Sequence, residues 1–177
     1  MNGITIATRS FLVSAVLLAC ACEPSHWVPC QNSGTALGTT YTIKYLAEKE
    51  VDYQQQNDSV ISAVNQSLST YIPTSDISKI NRGDTTVVVD AMFRAVFETA
   101  TAVHNASQGY FDPTIGVLAN AWGFGPEAPI LLDSTKVDSL RAYVGWNKVQ
   151  LTPDNRIRKA HPAIRFGFNA LAKGYAI

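Results

Sequence analysis

Apolar residues recur at helical spacing in two long windows. Val60, Ile61, Val64 and Leu68 follow the N-cap types Asn57, Asp58 and Ser59. This predicts a helix that stops near Tyr71, because Pro73 disfavours helical geometry in the residue before it. Phe93, Val96, Phe97, Ala100 and Val103 form a second stripe. It predicts an amphipathic helix capped by Asp90 and stopped by a left-handed Gly109. Asp112-Pro113 reads as a further helix start, with aspartate at N-cap and proline at N1. Asp133 or Ser134 opens a helix through Tyr143, and Asn169 caps a last one running to Ile177.

Strand patterns lie between these helices. Gly38–Leu46 (GTTYTIKYL) is β-branched and aromatic with partial alternation. Thr85–Val89 and Ile164–Phe168 read as short strands. Lys148–Leu151 and Arg156–Lys159 flank the turn Pro153-Asp154-Asn155, which predicts a hairpin. Hairpins mixed with helices, without strict βαβ alternation, predict an α+β fold with antiparallel sheet rather than a doubly wound parallel one.

The first residues break this pattern. Arg9 is the only charge before Cys20, and Phe11–Ala19 (FLVSAVLLA) is almost wholly apolar. The run is too short to span a bilayer and fits the apolar region of a secretory signal. It ends in Leu17-Leu18-Ala19-Cys20, which resembles a bacterial lipobox. That resemblance implies a signal peptide over 1–19, cleavage before Cys20 and lipidation of its sulfur. It places the protein in the cell envelope, anchored to the membrane and facing the periplasm. Ala21 in place of an aspartate favours the outer over the inner membrane. The mixed, proline-bearing residues that follow read as a tether over 20–34, with the folded domain over 35–177. An oxidising envelope permits a bridge between Cys22 and Cys30.

Composition narrows the partners. The 177 residues carry 14 basic and 14 acidic side chains and are 46% hydrophobic. A neutral globular chain without a basic cluster predicts no nucleic-acid partner. Dinucleotide, Walker, nucleophile-elbow and HExxH motifs are absent. His104 and His161 read as ordinary surface or loop residues, and Gly123-Phe124-Gly125-Pro126 as a tight loop. No catalytic residue is assigned.

Four longer segments carry a resemblance: GTTYTIKY (38–45), LSTYIPTSDISKIN (68–81), GYFDPTIGVLANAWGFGP (109–126) and FNALAKGYAI (168–177). Together and in this order they resemble the FAD:protein FMN transferase (ApbE) family. The resemblance implies a T-fold-related α+β domain that uses FAD and Mg²⁺. It also implies a reaction that moves FMN from FAD to a Ser or Thr hydroxyl of a target protein and releases AMP. The implied acceptors are flavin-carrying subunits of membrane redox complexes, such as sodium-pumping NADH:quinone oxidoreductase. Hydrolysis of FAD to FMN and AMP, or flavin binding by a surface lipoprotein without catalysis, are the alternatives.

By the same resemblance, Leu37, Tyr71, Tyr110, Phe111, Asp112 and Lys173 contact the cofactor, and the Ala170 carbonyl contributes to Mg²⁺. Leu37 stands where the family commonly has methionine, a change that keeps volume and apolarity. Gly167 departs from the family's usual acidic residue. Family members run to roughly twice this length, with their other Mg²⁺ ligands further on, so the resemblance also implies an N-terminal fragment unable to transfer FMN alone.

Overall fold

A computed structural model describes residues 26–177. The expected signal peptide and the lipidation at Cys20 lie outside the described residues. The architecture is α+β, as the pattern predicts: short two-stranded sheets and six α-helices among the described residues. The chain divides into two compact units. One comprises, among the described residues, 26–33 with Thr42–Tyr53. The other comprises Gly34–Tyr41 with Gln54–Ile177.

Strands β1 (Val28–Ala36) and β2 (Thr39–Ala47) pair as one sheet. Their turn, Leu37-Gly38, has φ of 51° and 74°, the left-handed pair that matches strand twist in a two-residue hairpin. The tether reading therefore fails from Val28 onward. The segment VPCQNSGTA gains strand geometry from pairing with β2, not from its own polar composition. In the smaller unit, Asn32 is buried and donates to Asp52 at 2.6 Å, while the Tyr45 hydroxyl donates to its side-chain oxygen at 2.8 Å. Cys30 is buried, its thiol 3.7 Å from the Val28 carbonyl.

The larger unit is built on α1 (Gln54–Leu68), α2 (Asp76–Asn81) and α3 (Ala91–Ala106). Helix α1 starts three residues before the expected cap. Helix α3 is capped as predicted: Asp90 accepts from the Phe93 amide at 2.7 Å. Its stripe buries Phe93, Val96, Phe97 and Ala100, but Val103 is 38% exposed and ends it. Gln108 and Gly109 (φ 53° and 86°) turn the chain out of the helix.

Helices α4 (Gly116–Ala121) and α5 (Ser134–Arg141) follow. Asp133 caps α5 through the Lys136 amide at 2.8 Å. A 3₁₀ turn (Trp146–Lys148) leads into β3 (Val149–Leu151), which pairs antiparallel with β4 (Ile157–Lys159), Gln150 opposite Arg158. Helix α6 (Asn169–Tyr175) closes the described chain.

The residues expected as strands at 85–89 and 164–168 form no ladder among the described residues. The first is held by Val89 N–H on the Asn155 carbonyl (2.8 Å) and by Arg156 on the carbonyls of Thr85 and Thr86. The second forms one isolated parallel bridge, Arg165 to Ile115, beside which the Gly167 amide donates to the Pro113 carbonyl at 3.1 Å. Its alternation is nonetheless real. Ile164, Phe166 and Phe168 are at most 1% exposed and turn into an aromatic core with Phe93, Phe97 and Trp146. Phe168 meets Phe93 edge-on at 5.3 Å and Phe166 at 5.6 Å, the T-shaped geometry aromatic rings favour.

Candidate functional site

Two adjoining cavities in the larger unit share Tyr71 and Asn169. One, of about 330 Å³, is lined by Tyr71, Asn81, Arg82, Asn120, Phe124, Arg165 and Gly167 among others. The second, of about 550 Å³, is lined by Leu37, Leu68, Tyr71, Asn169, Ala172 and Lys173 among others. Both lie in the size range of small-molecule sites. Three of the four segments singled out in the sequence supply most of the first cavity, and the second adds Leu37-Gly38 from the β1–β2 turn.

The turn carrying Tyr71 is held by serines. Ser75 caps α2 by accepting from the Ser78 amide at 3.2 Å and donates its own hydroxyl to the Ser69 carbonyl at 2.6 Å. The Ser78 hydroxyl lies 3.2 Å from the Ser69 carbonyl and 3.3 Å from that of Thr70. The Tyr71 ring is thereby presented to solvent, 59% exposed, with its hydroxyl donating to the Phe124 carbonyl at 3.2 Å.

Asn81 ties the cavity floor together. Its amide donates to the Phe166 carbonyl (2.7 Å) and accepts from the Phe166 amide (3.1 Å), a side chain acting as a strand partner. Lys159 donates to the carbonyls of Asn81, Pro162 and Ile164 at 3.0–3.3 Å. Burial, and secondarily the charge of Arg165, holds the Lys159 ammonium down at about 8. Around the first cavity, Arg82 and Arg165 outnumber Glu127, which lies 3.7 Å from Arg165. Lys173 adds a cation to the second. An anionic ligand suits both.

Leu37, Tyr71 and Lys173 are thus brought together. Tyr110, Phe111 and Asp112 line neither cavity. Tyr110 is 96% exposed, and Phe111 packs on the core. Asp112 does not cap a helix: α4 starts at Gly116, with Ile115 at the cap position and no side-chain cap bond. Its carboxylate instead accepts from the Thr114 amide (2.8 Å) and hydroxyl (2.5 Å), and from the Trp146 amide (3.0 Å). Thr114, wholly buried, accepts in turn from the Gly145 amide at 2.6 Å. In place of a helix cap, the carboxylate thus joins a local turn at Thr114 to a tertiary donor at Trp146. His104, expected to be an ordinary surface residue, sits with Nδ1 2.8 Å from the Phe111 carbonyl and 4.0 Å from the Asp112 carboxylate.

Asn169 does not cap α6 either; Phe168 occupies that position without a side-chain bond. Ala170 is exposed in the first turn. At Gly167 an added Cβ would meet the Thr70 methyl at 3.3 Å, so a larger residue there requires that neighbour to give way.

Asn81, Asn120, Phe124, Arg82 and Arg165 were not among the expected site residues. The signal for the two asparagines is a lone amide inside an apolar setting: Asn81 follows Ile77 and Ile80 on one helix face, and Asn120 interrupts Val-Leu-Ala…Ala-Trp.

Comparison with known proteins agrees with this architecture. The FAD:protein FMN transferase of Haemophilus influenzae is 28% identical over 178 residues, which cover 93% of this chain and 51% of that protein. The Vibrio cholerae protein of the same name is 29% identical, covering 96% and 53%. The chain thus spans about half the length of the curated relatives it matches. The structure of the flavin transferase ApbE from Vibrio cholerae superposes with a TM-score of 0.78 and 28% identity, over 85% of this chain and 51% of that one. The apo flavinyl transferase ApbE of Pseudomonas stutzeri gives 0.76 at 26% identity, over 88% and 52%. The sequence model of the ApbE family matches residues 37–177, and the chain belongs to that family.

Proposed function

We propose that this chain is the flavin-binding part of an enzyme that transfers FMN from FAD to a Ser or Thr hydroxyl of a target protein. The single observation that carries this reading is the convergence of the family's segments on two cavities around one exposed tyrosine. The cavities offer what FAD requires. Tyr71 and Phe124 present aromatic faces for its rings, and Arg82, Arg165 and Lys173 balance its pyrophosphate. In the reaction, the hydroxyl oxygen bonds to the FMN phosphorus and the pyrophosphate P–O bond breaks. AMP leaves with the bridging oxygen, and the hydroxyl proton is released. The chain's own contribution is to hold the dinucleotide and align the bond that breaks.

The family resemblance also implies Mg²⁺. Among the described residues no three His, Cys, Asp or Glu side chains cluster as metal ligands. The Ala170 carbonyl by itself does not meet the near-octahedral oxygen coordination of Mg²⁺. The proposed acceptors are flavin-carrying subunits of membrane redox complexes. Gly167, at the cavity where the family usually has an acidic residue, favours a second reading in which FAD is bound without transfer. The complete gene product, mixed with FAD, Mg²⁺ and an acceptor subunit, separates these readings. Flavin fluorescence on the denatured acceptor supports transfer. AMP and free FMN with an unlabelled acceptor indicate hydrolysis. Bound but unconsumed FAD indicates binding alone.

The envelope location remains a proposal resting on the apolar run ending at Cys20. No helix among the described residues is long and apolar enough to cross a membrane. Substitution Cys20→Ser in the complete protein is expected to abolish acylation and release it from the membrane fraction. A variant still acylated and membrane-bound would refute Cys20 as the anchor.

A further inference from the structure

Asn120 stands apart from the other buried amides of the site. It is 9% exposed and lies at the wall of the 330 Å³ cavity. The carboxamide of Asn81, by contrast, is spent on both polar groups of Phe166. That of Asn120 has no hydrogen-bond partner among the described residues, yet it is not sealed in: the one enclosed side-chain polar atom left without a partner among those residues belongs to Asn57. A buried amide that is unpaired but open to a cavity is costly unless a ligand or water completes it.

The surroundings define the shape of that ligand. Gly125 packs directly on the amide: a Cβ there would come within 1.6 Å of Asn120 Oδ1. Across the α4 helix start, a Cβ on Gly116 would come within 2.8 Å of the Arg165 carbonyl. Both glycines let backbone close around the cavity. At its rim, the rings of Tyr71 and Phe124 are 59% and 77% exposed and are linked by the Tyr71 hydroxyl on the Phe124 carbonyl. Aromatic faces at the mouth and a donor–acceptor pair at the wall suit a flat heteroaromatic ring. The rings stack on its face while the amide pairs with its edge.

We infer that Asn120 is a specificity-determining residue that reads a ring edge carrying an adjacent hydrogen-bond donor and acceptor. Asparagine pairs in this way with the adenine edge. The pyrimidine edge of a flavin offers the same chemistry through its imide N–H and carbonyl. The inference rests on FAD being the ligand, and FAD carries both edges. Gly125 acts as a positioning residue, leaving room for the amide.

The test measures FAD, FMN and AMP affinities by calorimetry on the complete gene product, unaltered and as Asn120→Leu, Asn120→Asp and Gly125→Ala. Thermal melts select the variants that fold, and Asn120→Asp keeps the side-chain size if Asn120→Leu does not. Loss of the paired edge is expected to weaken FAD by about tenfold. It should weaken only one of FMN and AMP to the same degree, and that one identifies the ring. Gly125→Ala should reproduce the selective loss. FAD affinity within about twofold of the unaltered protein in the folded Asn120 variants, or equal losses for FMN and AMP, overturns the role of Asn120 alone. No FAD binding by the unaltered protein overturns the flavin reading together with it.

Discussion

Phe168→Ala is expected to lower stability by about 3–5 kcal/mol, the range for removing a fully buried aromatic ring. Phe168 is 0% exposed and touches four rings: Phe93, Phe97, Trp146 and Phe166. These rings come from α3, the 3₁₀ turn and the segment before α6, so the cavity left behind is walled by separate elements that cannot all close in. The same residue starts α6. Its carbonyl accepts from the amides of Leu171 and Ala172, both at 2.8 Å. Loosening it therefore also disturbs the helix that carries Lys173 into the second cavity. Thermal melting should show a fall of roughly 10 °C. A loss below about 1 kcal/mol would mean that the aromatic cluster is not the core of this unit.

Asp112→Ala is expected to cost about 2–4 kcal/mol, more than the loss of a helix cap at about 0.5–2 kcal/mol. Its carboxylate is the shared acceptor for Thr114 and for the Trp146 amide, and Thr114 in turn holds the Gly145 amide. Removing it leaves donors without partners beside the wholly buried Thr114 and unfastens the 109–114 loop from the Trp146 turn. Asp112→Asn retains one acceptor oxygen and should fall between. Urea unfolding distinguishes the cases: a cost confined to the cap range would point to a local role, and an unchanged midpoint would contradict the network.

The elements legible in the sequence are those whose own pattern determines them. The α3 stripe behind Asp90, the cap at Asp133, strand β2 and the β3–β4 hairpin around a left-handed Asn155 all follow from local signals. What was not legible depends on partners. The polar β1 is a strand because β2 pairs with it. Helix α2 has six residues, too few for a helical period to show. Residues 85–89 are wholly β-branched and 164–168 alternate like a strand, but neither composition nor alternation specifies ladder partners.

The same division holds at the site. The four motif segments mark the stretches that surround the cavities. Nothing local says that Asn81 will clamp Phe166, 85 positions away, or that Asn120 will remain unpaired at the wall. Asp112 is the instructive case. Asp-Pro is a sound local helix start, yet three donors from Thr114 and Trp146 take its carboxylate before α4 begins.

The most direct test of the proposed transfer is the mass of the acceptor. The complete gene product is incubated with FAD, Mg²⁺ and a flavin-accepting subunit, and intact-protein mass spectrometry is run beside quantification of AMP. The proposal predicts an acceptor heavier by one FMN in phosphoester linkage to a Ser or Thr, with AMP formed in equal amount. An acceptor of unchanged mass, whether FAD is cleaved to FMN and AMP or left intact, would contradict it.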